Sequence, residues 1–467
     1  MGKRLKKAAA LVLTICMIFT TISCGQSESK GDFGNATRLT SDSYDSAELV
    51  KLAVGCPVGW ENRIWDFSLE LLGKCFTSSN NDDDEEAGRT TDGTKDSQSL
   101  VLSPLSLMQL LIMLDQGADG ETGRQIEAAV GTEVLLELEK IQELLSRTEN
   151  GLTVKTANSA WFRDEAERLS VSDSYVGILQ KYFDAEAYLA PFDKSTVRDI
   201  NRWCGERTDG RIDKIIEKIS DSAVVYLINA LSFDAEWKEK YRAQQIHECN
   251  FTHEDGSTEK VEMMYSTESR FLENEWAKGF VKPYKGGYSF AAVLPKDESM
   301  KMSDFLEKLD SASMSSLLSQ RVMTNDTGEY FYLDSFELES GDYTAADMWE
   351  VSVAAGLPKF KTEYGSKLKA VLEAMGVCDL FDENAADLSG MATSAEGNIF
   401  VSEIQQKAVI ETDAEGTRAA AVSFAEMNDG ASMIGETVCL DRPFVYAIID
   451  DETQVPIFVG VMTGNEL

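Results

Sequence analysis

The sequence predicts an α+β fold, and three observations predict it. Strand-like and helix-like segments come in clusters, which argues against the alternating strand–helix units of a parallel sheet. Residues 224–233 (VVYLINALSF) are almost continuously apolar, as a strand buried in the middle of a sheet is. Near the C-terminus, a β-like run at 399–409 and a sharp strand signal at Asp441, Arg442, Pro443 and Phe444 flank a long stretch of small residues.

From the N-terminus, Lys3, Arg4, Lys6 and Lys7 make a basic start, and residues 8–22 are apolar. That run is short for a bilayer span and fits the core of a signal peptide. It ends Thr21, Ile22, Ser23, Cys24, Gly25, which resembles a bacterial lipobox. Residues 1–23 are therefore expected to be a lipoprotein signal peptide. Lipidation of Cys24 would hold the protein on the outside of a bacterial cell. Residues 24–58 read as a flexible tether and 59–467 as the folded domain. No later segment is a membrane-span candidate.

Residues 60–76 predict an amphipathic helix with Ile64, Phe67, Leu71 and Cys75 on one face. Residues 77–99 lack large apolar side chains and read as a disordered acidic insertion. Its acids are consecutive, unlike the alternating ligands of a calcium loop. Ser103 is placed to cap a helix that starts at Pro104, buries Leu107, Leu110, Leu111 and Leu114, and ends at Gly117. Residues 152–162 alternate as a strand, and 171–192 read as a helix and a turn. Residues 320–348 are more polar and read as an insertion. Then come a strand at 351–360, a helix at 368–381, and buried strands at 443–449 and 456–462.

Composition excludes several function classes. The 467 residues include 80 acidic and 44 basic side chains, for a net charge of −36. That argues against nucleic acid and against electrostatic binding to anionic lipid. Of eight cysteines, Cys16 leaves with the leader and Cys24 would be lipidated. Cys56, Cys75, Cys204, Cys249, Cys378 and Cys439 remain, with no spacing that suggests zinc and no pairing that sequence can choose. The two histidines, His247 and His253, lie in a solvated HECNFTH segment. There is no GxSxG elbow and no phosphate-loop lysine, so neither a hydrolase triad nor a nucleotide site is expected.

The stretch at 411–423 (ETDAEGTRAAAVS) has its own pattern. Alternate residues Thr417, Ala419, Ala421, Ser423, Ala425 and Met427 are uncharged, while Arg418 and Glu426 fall in the other set. Such a segment can lie in a sheet with one face buried or stay outside as a loop, so it is a candidate two-state element.

Glu415, Gly416, Thr417, Arg418, Ala419, Ala420 and Ala421, followed by Arg442-Pro443-Phe444, resemble the hinge and reactive loop of the serpin family. Further motifs agree in order: Ser103-Pro104-Leu105-Ser106, Ala157-Asn158-Ser159, Thr208 to Ile212, Asn229-Ala230 with Trp237, and Pro358-Lys359-Phe360. The resemblance implies three β-sheets and about nine helices, with hinge and reactive loop at 411–440. It implies a non-enzyme, without cofactor or metal, acting as a monomer. Its partner would be an extracellular serine or cysteine protease. The protease would cut the loop, stay covalently bound, and be carried along as the loop inserts into the central sheet. Ser103, Ser106, Asn229, Trp237, Lys359 and Gln406 are implied at the region where the sheet opens. Gln406 stands where the family often has a titratable histidine. Glu415 is expected to pair with Lys359, and Thr417 to be exposed until the loop is cut.

The cleavage window is Asn428, Asp429, Gly430, Ala431, Ser432, Met433 and Ile434. Small residues and Met433 suit an elastase-, subtilisin- or chymotrypsin-like enzyme, and the absence of Lys or Arg argues against a trypsin-like one. The alternative is a non-inhibitory member of the family serving as a surface binding protein. The permissive side chains on the inserting face favour the inhibitor.

Overall fold

A computed structural model of the chain describes residues 33–46, 59–81, 99–131, 138–165, 168–220, 223–325, 330–333, 348–395, 397–402, 404–417 and 434–464. Among these residues there are nine α-helices and twenty-three strands.

In chain order, β1 (Thr37–Leu39) precedes α1 (Trp60–Asn81), β2 (Leu100–Leu102), α2 (Pro104–Asp115), α3 (Gly120–Val130) and α4 (Leu138–Leu144). Then come β3 (Thr148–Glu149), β4 (Leu152–Arg163), β5 (Leu169–Val171), α5 (Asp173–Phe183), β6 (Glu186–Ala190) and α6 (Lys194–Arg207). A run of strands follows: β7 (Val225–Glu236), β8 (Ile246–Thr252), β9 (Thr258–Glu268), β10 (Arg270–Glu273), β11 (Ala277–Pro283) and β12 (Tyr288–Pro295). Helices α7 (Met302–Lys308) and α8 (Ser311–Ser319) lead to β13 (Arg321–Asn325), β14 (Tyr330–Leu333), β15 (Met348–Glu350), β16 (Ser352–Pro358) and β17 (Phe360–Lys367). The chain closes with α9 (Lys369–Ala374), β18 (Ala392–Ser394), β19 (Gln405–Thr412), β20 (Gly416–Thr417), β21 (Ile434–Cys439), β22 (Phe444–Asp450) and β23 (Pro456–Met462).

Three main sheets organise the molecule, as expected. The central sheet runs β1-β6-β4-β7-β20-β19-β17, with β3 on β4. A second runs β10-β11-β12-β22-β23-β2, and a third β21-β16-β9-β8. Every residue of β12, β22 and β23 is buried, so these apolar runs form the deepest layer. Helix α2 packs against β7 and β23 and is buried all round, with a mean composition apolar enough to need no polar face.

Several expectations are corrected. Part of the expected tether is ordered: β1 pairs with β6, and Phe33 meets the rings of Trp161 and Tyr188 edge-on. Phe33, Ala36 and Leu39 suffice for this, though so few apolar residues read as linker. Helix α1 continues to Asn81, five residues into the expected insertion, because one side of it already rests on the core. Helix α2 stops at Asp115 with Gln116 as its C-cap, before Gly117. The 399–409 run becomes strand only from Gln405, and the 368–381 helix is the short α9 followed by a 3₁₀ turn. Residues 320–348 contribute a small sheet, β14-β13-β15, joined to β21 by a hydrogen bond from the Tyr330 hydroxyl to Glu436 (2.7 Å). Among the described residues no disulfide joins Cys75, Cys204, Cys249, Cys378 or Cys439, and Cys56 lies outside them.

Candidate functional site

The sequence-predicted residues gather along the line between β7 and β19. Both strands end at the same end of the central sheet, since β20 is antiparallel to each. Strand β7 is laddered to β4 over its length, and β19 to β17. Among the described residues no ladder joins β7 directly to β19. The two residues of β20 bridge them, Gly416 facing Glu236 and Thr417 facing both Ala235 and Thr412.

The bridge is a tight hairpin built by Asp413. Its Oδ1 accepts from the backbone of Glu415 (2.8 Å) and Gly416 (3.2 Å), and its N–H donates to Gly416 O (2.9 Å). An aspartate closing its own turn in this way is the chemistry of an Asx turn. Gly416 is required by close approach: a Cβ there would lie 2.0 Å from Ala235 O. Trp237 docks the hairpin, its Nε1 donating to Asp413 O (2.8 Å) and its N–H to Glu415 O (2.9 Å). Its ring is buried and stacks on Tyr284 at 4.3 Å.

Thr417 is only 2% exposed, with its hydroxyl 2.6 Å from that of Tyr284 and 3.5 Å from that of Thr412. This corrects the expectation that it is exposed in the uncut chain: the two residues of β20 already occupy the sheet. Burial holds the Tyr284 phenol far above its ordinary range, so the hydroxyl beside Thr417 stays neutral. The expected Glu415–Lys359 pair is also corrected. Glu415 accepts from Lys240 (2.7 Å), while Lys359 pairs with Glu262 (2.9 Å). Lys359 follows the last residue of β16, and Lys240 lies on the segment that carries Trp237. The ammonium of Lys240 is held above its usual range, first by Glu415 and also by Glu236. Beneath the hairpin, Lys282 and Glu268 form a buried ion pair (2.8 Å), and the lysine also sits over the Tyr241 ring at 4.4 Å.

Toward the other end of the strands lies a polar cluster. Gln406 accepts from Ser103 N–H (3.0 Å) and donates to Ser103 O (2.8 Å). It is half-buried. The Ser103 hydroxyl does not cap α2; it donates to Ile457 O (3.0 Å) and so ties the helix start to β23. Asn229 donates to Asn158 (2.8 Å), Gln109 (3.1 Å) and Thr156 (3.3 Å), and Asn158 donates to Phe183 O (3.0 Å). Ser106 Oγ and Gln109 Nε2 are buried without a partner among the described residues. An apolar cavity of about 60 Å³ lies beyond this cluster, lined by Leu110, Leu114, Val225, Leu227, Phe400 and Ile404.

The structure thus brings Ser103 and Gln406 together, and Trp237 with Glu415, Gly416 and Thr417, while Lys359 stands apart. Arg418, Ala419, Ala420, Ala421 and residues 428–433 of the window lie outside the described residues, as does Cys24. Ile434 begins β21, which pairs in parallel with β16. Asp413, Lys240, Tyr284 and Gln109 were missed from the sequence. Only Asp413 carried a local signal, since D-A-E-G is turn composition; the others come from distant segments.

Residues 89–464 match the model of a family described as serpin (serine protease inhibitor). A thermophilic serpin, tengpin, is similar in its native-state structure at 34% identity, over 92% of this chain and 100% of that one, with a TM-score of 0.73. Its latent-state structure gives 0.64 over 86% and 97%. The leukocyte elastase inhibitor A of Mus musculus is 26% identical over 399 residues, 82% of this chain and 98% of the relative. A thyroxine-binding globulin in complex with thyroxine shares the fold at 19% identity and a TM-score of 0.66, over 87% and 99% of the two chains.

Proposed function

The chain belongs to the serpin family, and from that premise we propose that it is a suicide inhibitor of an extracellular serine protease. The protease cuts within residues 428–434, is left as an acyl-enzyme, and is trapped as the loop inserts between β7 and β19. One observation carries this reading. The hinge already enters the central sheet as β20, bridging two strands that no described ladder joins, so an inserting segment meets unpaired strand edges. Each ladder hydrogen bond gained contributes a net of about 1 kcal/mol.

The target class follows from the window's small residues and Met433, and similarity to a protein named as an elastase inhibitor agrees with it. An elastase-like enzyme is the first candidate. We also propose that residues 1–23 are a signal peptide and that a lipid on Cys24 holds the inhibitor at the cell surface.

Because Thr417 is buried at the outset, the test is moved four residues on, to Ala421 on the same face. Ala421→Arg places an unpaired charge where insertion would bury it, which costs several kcal/mol on the order of those for lone buried charges. The parent, mixed with an elastase-like protease, should give a complex that survives SDS. The variant should be cleaved without complex. Equal complex from both, or none from the parent with any protease cutting 428–434, would overturn the reading and favour a non-inhibitory binding protein.

A further inference from the structure

The third sheet holds a pair of thiols that the inhibitory reading does not use. Its register aligns Tyr265 of β9 with Gly356 of β16, and Gly356 with Cys439 of β21. Aligned residues of neighbouring strands project from the same face. Cys439 and Tyr265 therefore meet over Gly356: a Cβ on that glycine would lie 2.8 Å from Cys439 Sγ and 3.2 Å from Tyr265 Cε1. Glycine is what lets the sulfur and the ring close over the intervening strand.

Cys249 lies on the opposite edge strand of the sheet, β8, on the same face. It pairs with Val261 of β9, and Val261 and Tyr265 share a face by the two-residue period. Beyond β21 the chain crosses toward β8, where Thr252 N–H donates to Asp441 O (2.8 Å). The Tyr265 hydroxyl interacts with both thiols, and the thiols interact with each other. Both cysteines are part-exposed, so a small oxidant can reach them. The other described cysteines differ: Cys75 and Cys204 are buried, and Cys378 is exposed with no second thiol beside it among the described residues.

We propose that Cys249 and Cys439 are a dithiol pair that a low-molecular-weight disulfide oxidises to an intrachain disulfide, fastening β21 to β8 by a bond independent of the ladder. The exchange is balanced. One protein thiolate attacks the reagent's sulfur, forms a mixed disulfide and releases one reagent thiol. The second protein thiol loses its proton, attacks the mixed disulfide and releases the other reagent thiol. The protein gives up two electrons and two protons, and the reagent becomes two thiols. Burial first, and Asp441 after it, push the Cys439 thiol up to about 12, so its thiolate forms reluctantly. The consequence falls on β21, an edge strand whose only ladder among the described residues is with β16. It is the strand that receives the chain directly after the cleavage window, so the bond would fix the far end of the loop while leaving β20 free.

The test uses the full chain, reduced and then treated with oxidised glutathione under native conditions. Non-reducing tryptic mapping should find the peptide containing Cys249 joined to the one containing Cys439, two hydrogens lighter than the sum. Cys378 should carry a glutathione adduct, which shows that the reagent was active. Glutathione adducts on Cys249 and Cys439 without a cross-link, or no reaction at either, would overturn the pairing. Amide hydrogen exchange over 434–439 should slow by about tenfold on oxidation and recover on reduction. Unchanged exchange in cross-linked protein would overturn the fastening. Cys249→Ala should exchange like the reduced parent with or without glutathione; Cys249→Ser serves if alanine impairs folding. No target protease enters these measurements, and trypsin only digests the finished product, so they stand or fall separately from the inhibitory reading.

Discussion

Gln406 holds both backbone groups of Ser103 with one planar amide, accepting at Oε1 and donating at Nε2. The two nitrogens of a histidine ring diverge, and one histidine cannot make both bonds to the same residue. An amide also does not titrate, so this contact is the same at pH 5 and pH 8. Gln406→Ala should lower stability by about 2 kcal/mol, two hydrogen bonds at about 1 kcal/mol each. The check is a denaturant midpoint that shifts at constant slope. A change below about 0.5 kcal/mol would mean that the amide is dispensable. The place of Gln406 on the strand was legible from its alternation with Ile404, Ala408 and Ile410. Its partner was not, because Ser103 is 303 residues away and offers its backbone and not its side chain.

The hinge hairpin is the element that joins the two halves of the central sheet, and it is clamped by charges at its tip. Glu236 accepts from Lys285 (2.6 Å) and lies 3.3 Å from Lys240, which in turn holds Glu415. The Lys285 bond is the main cause that keeps the Glu236 carboxyl below its ordinary value of 4.5. A lowered carboxylate adds stability that is present above the ordinary value and is lost as pH falls through the lowered one. Acidification below about pH 4.5 should therefore loosen the hairpin before the molecule unfolds. The fluorescence difference between the parent and Trp237→Phe reports on it. That difference should change with acid in the parent and much less in Lys240→Met. A signal that moves only with global unfolding would contradict the clamp. The strands and their small-residue face were legible from periodicity. The hinge's depth was not, since alternation tells which face can be buried and says nothing about whether it already is. The Glu415 partner was misassigned for a related reason: Lys240 and Lys359 are both lysines near strand ends, and only packing separates them.

For the whole molecule, the fold class followed from clustered strands and helices, and the central place of β7 from its apolar run. The order of the N-terminal segment did not follow, because three apolar residues among polar ones resemble a linker. Lipidation makes a claim at this scale. Cys24→Ala should move the protein from the membrane fraction to the soluble one or block its processing; an unchanged membrane fraction would exclude the anchor. With β1 and Phe33 fixed to the edge of the central sheet, the proposed lipid on Cys24 would be joined to the fold by residues 24–32 alone. Such a segment spans at most about 30 Å when fully extended. A body so anchored could not range far above the bilayer, and the proteases it would meet are those that come within one protein diameter of the cell's own surface.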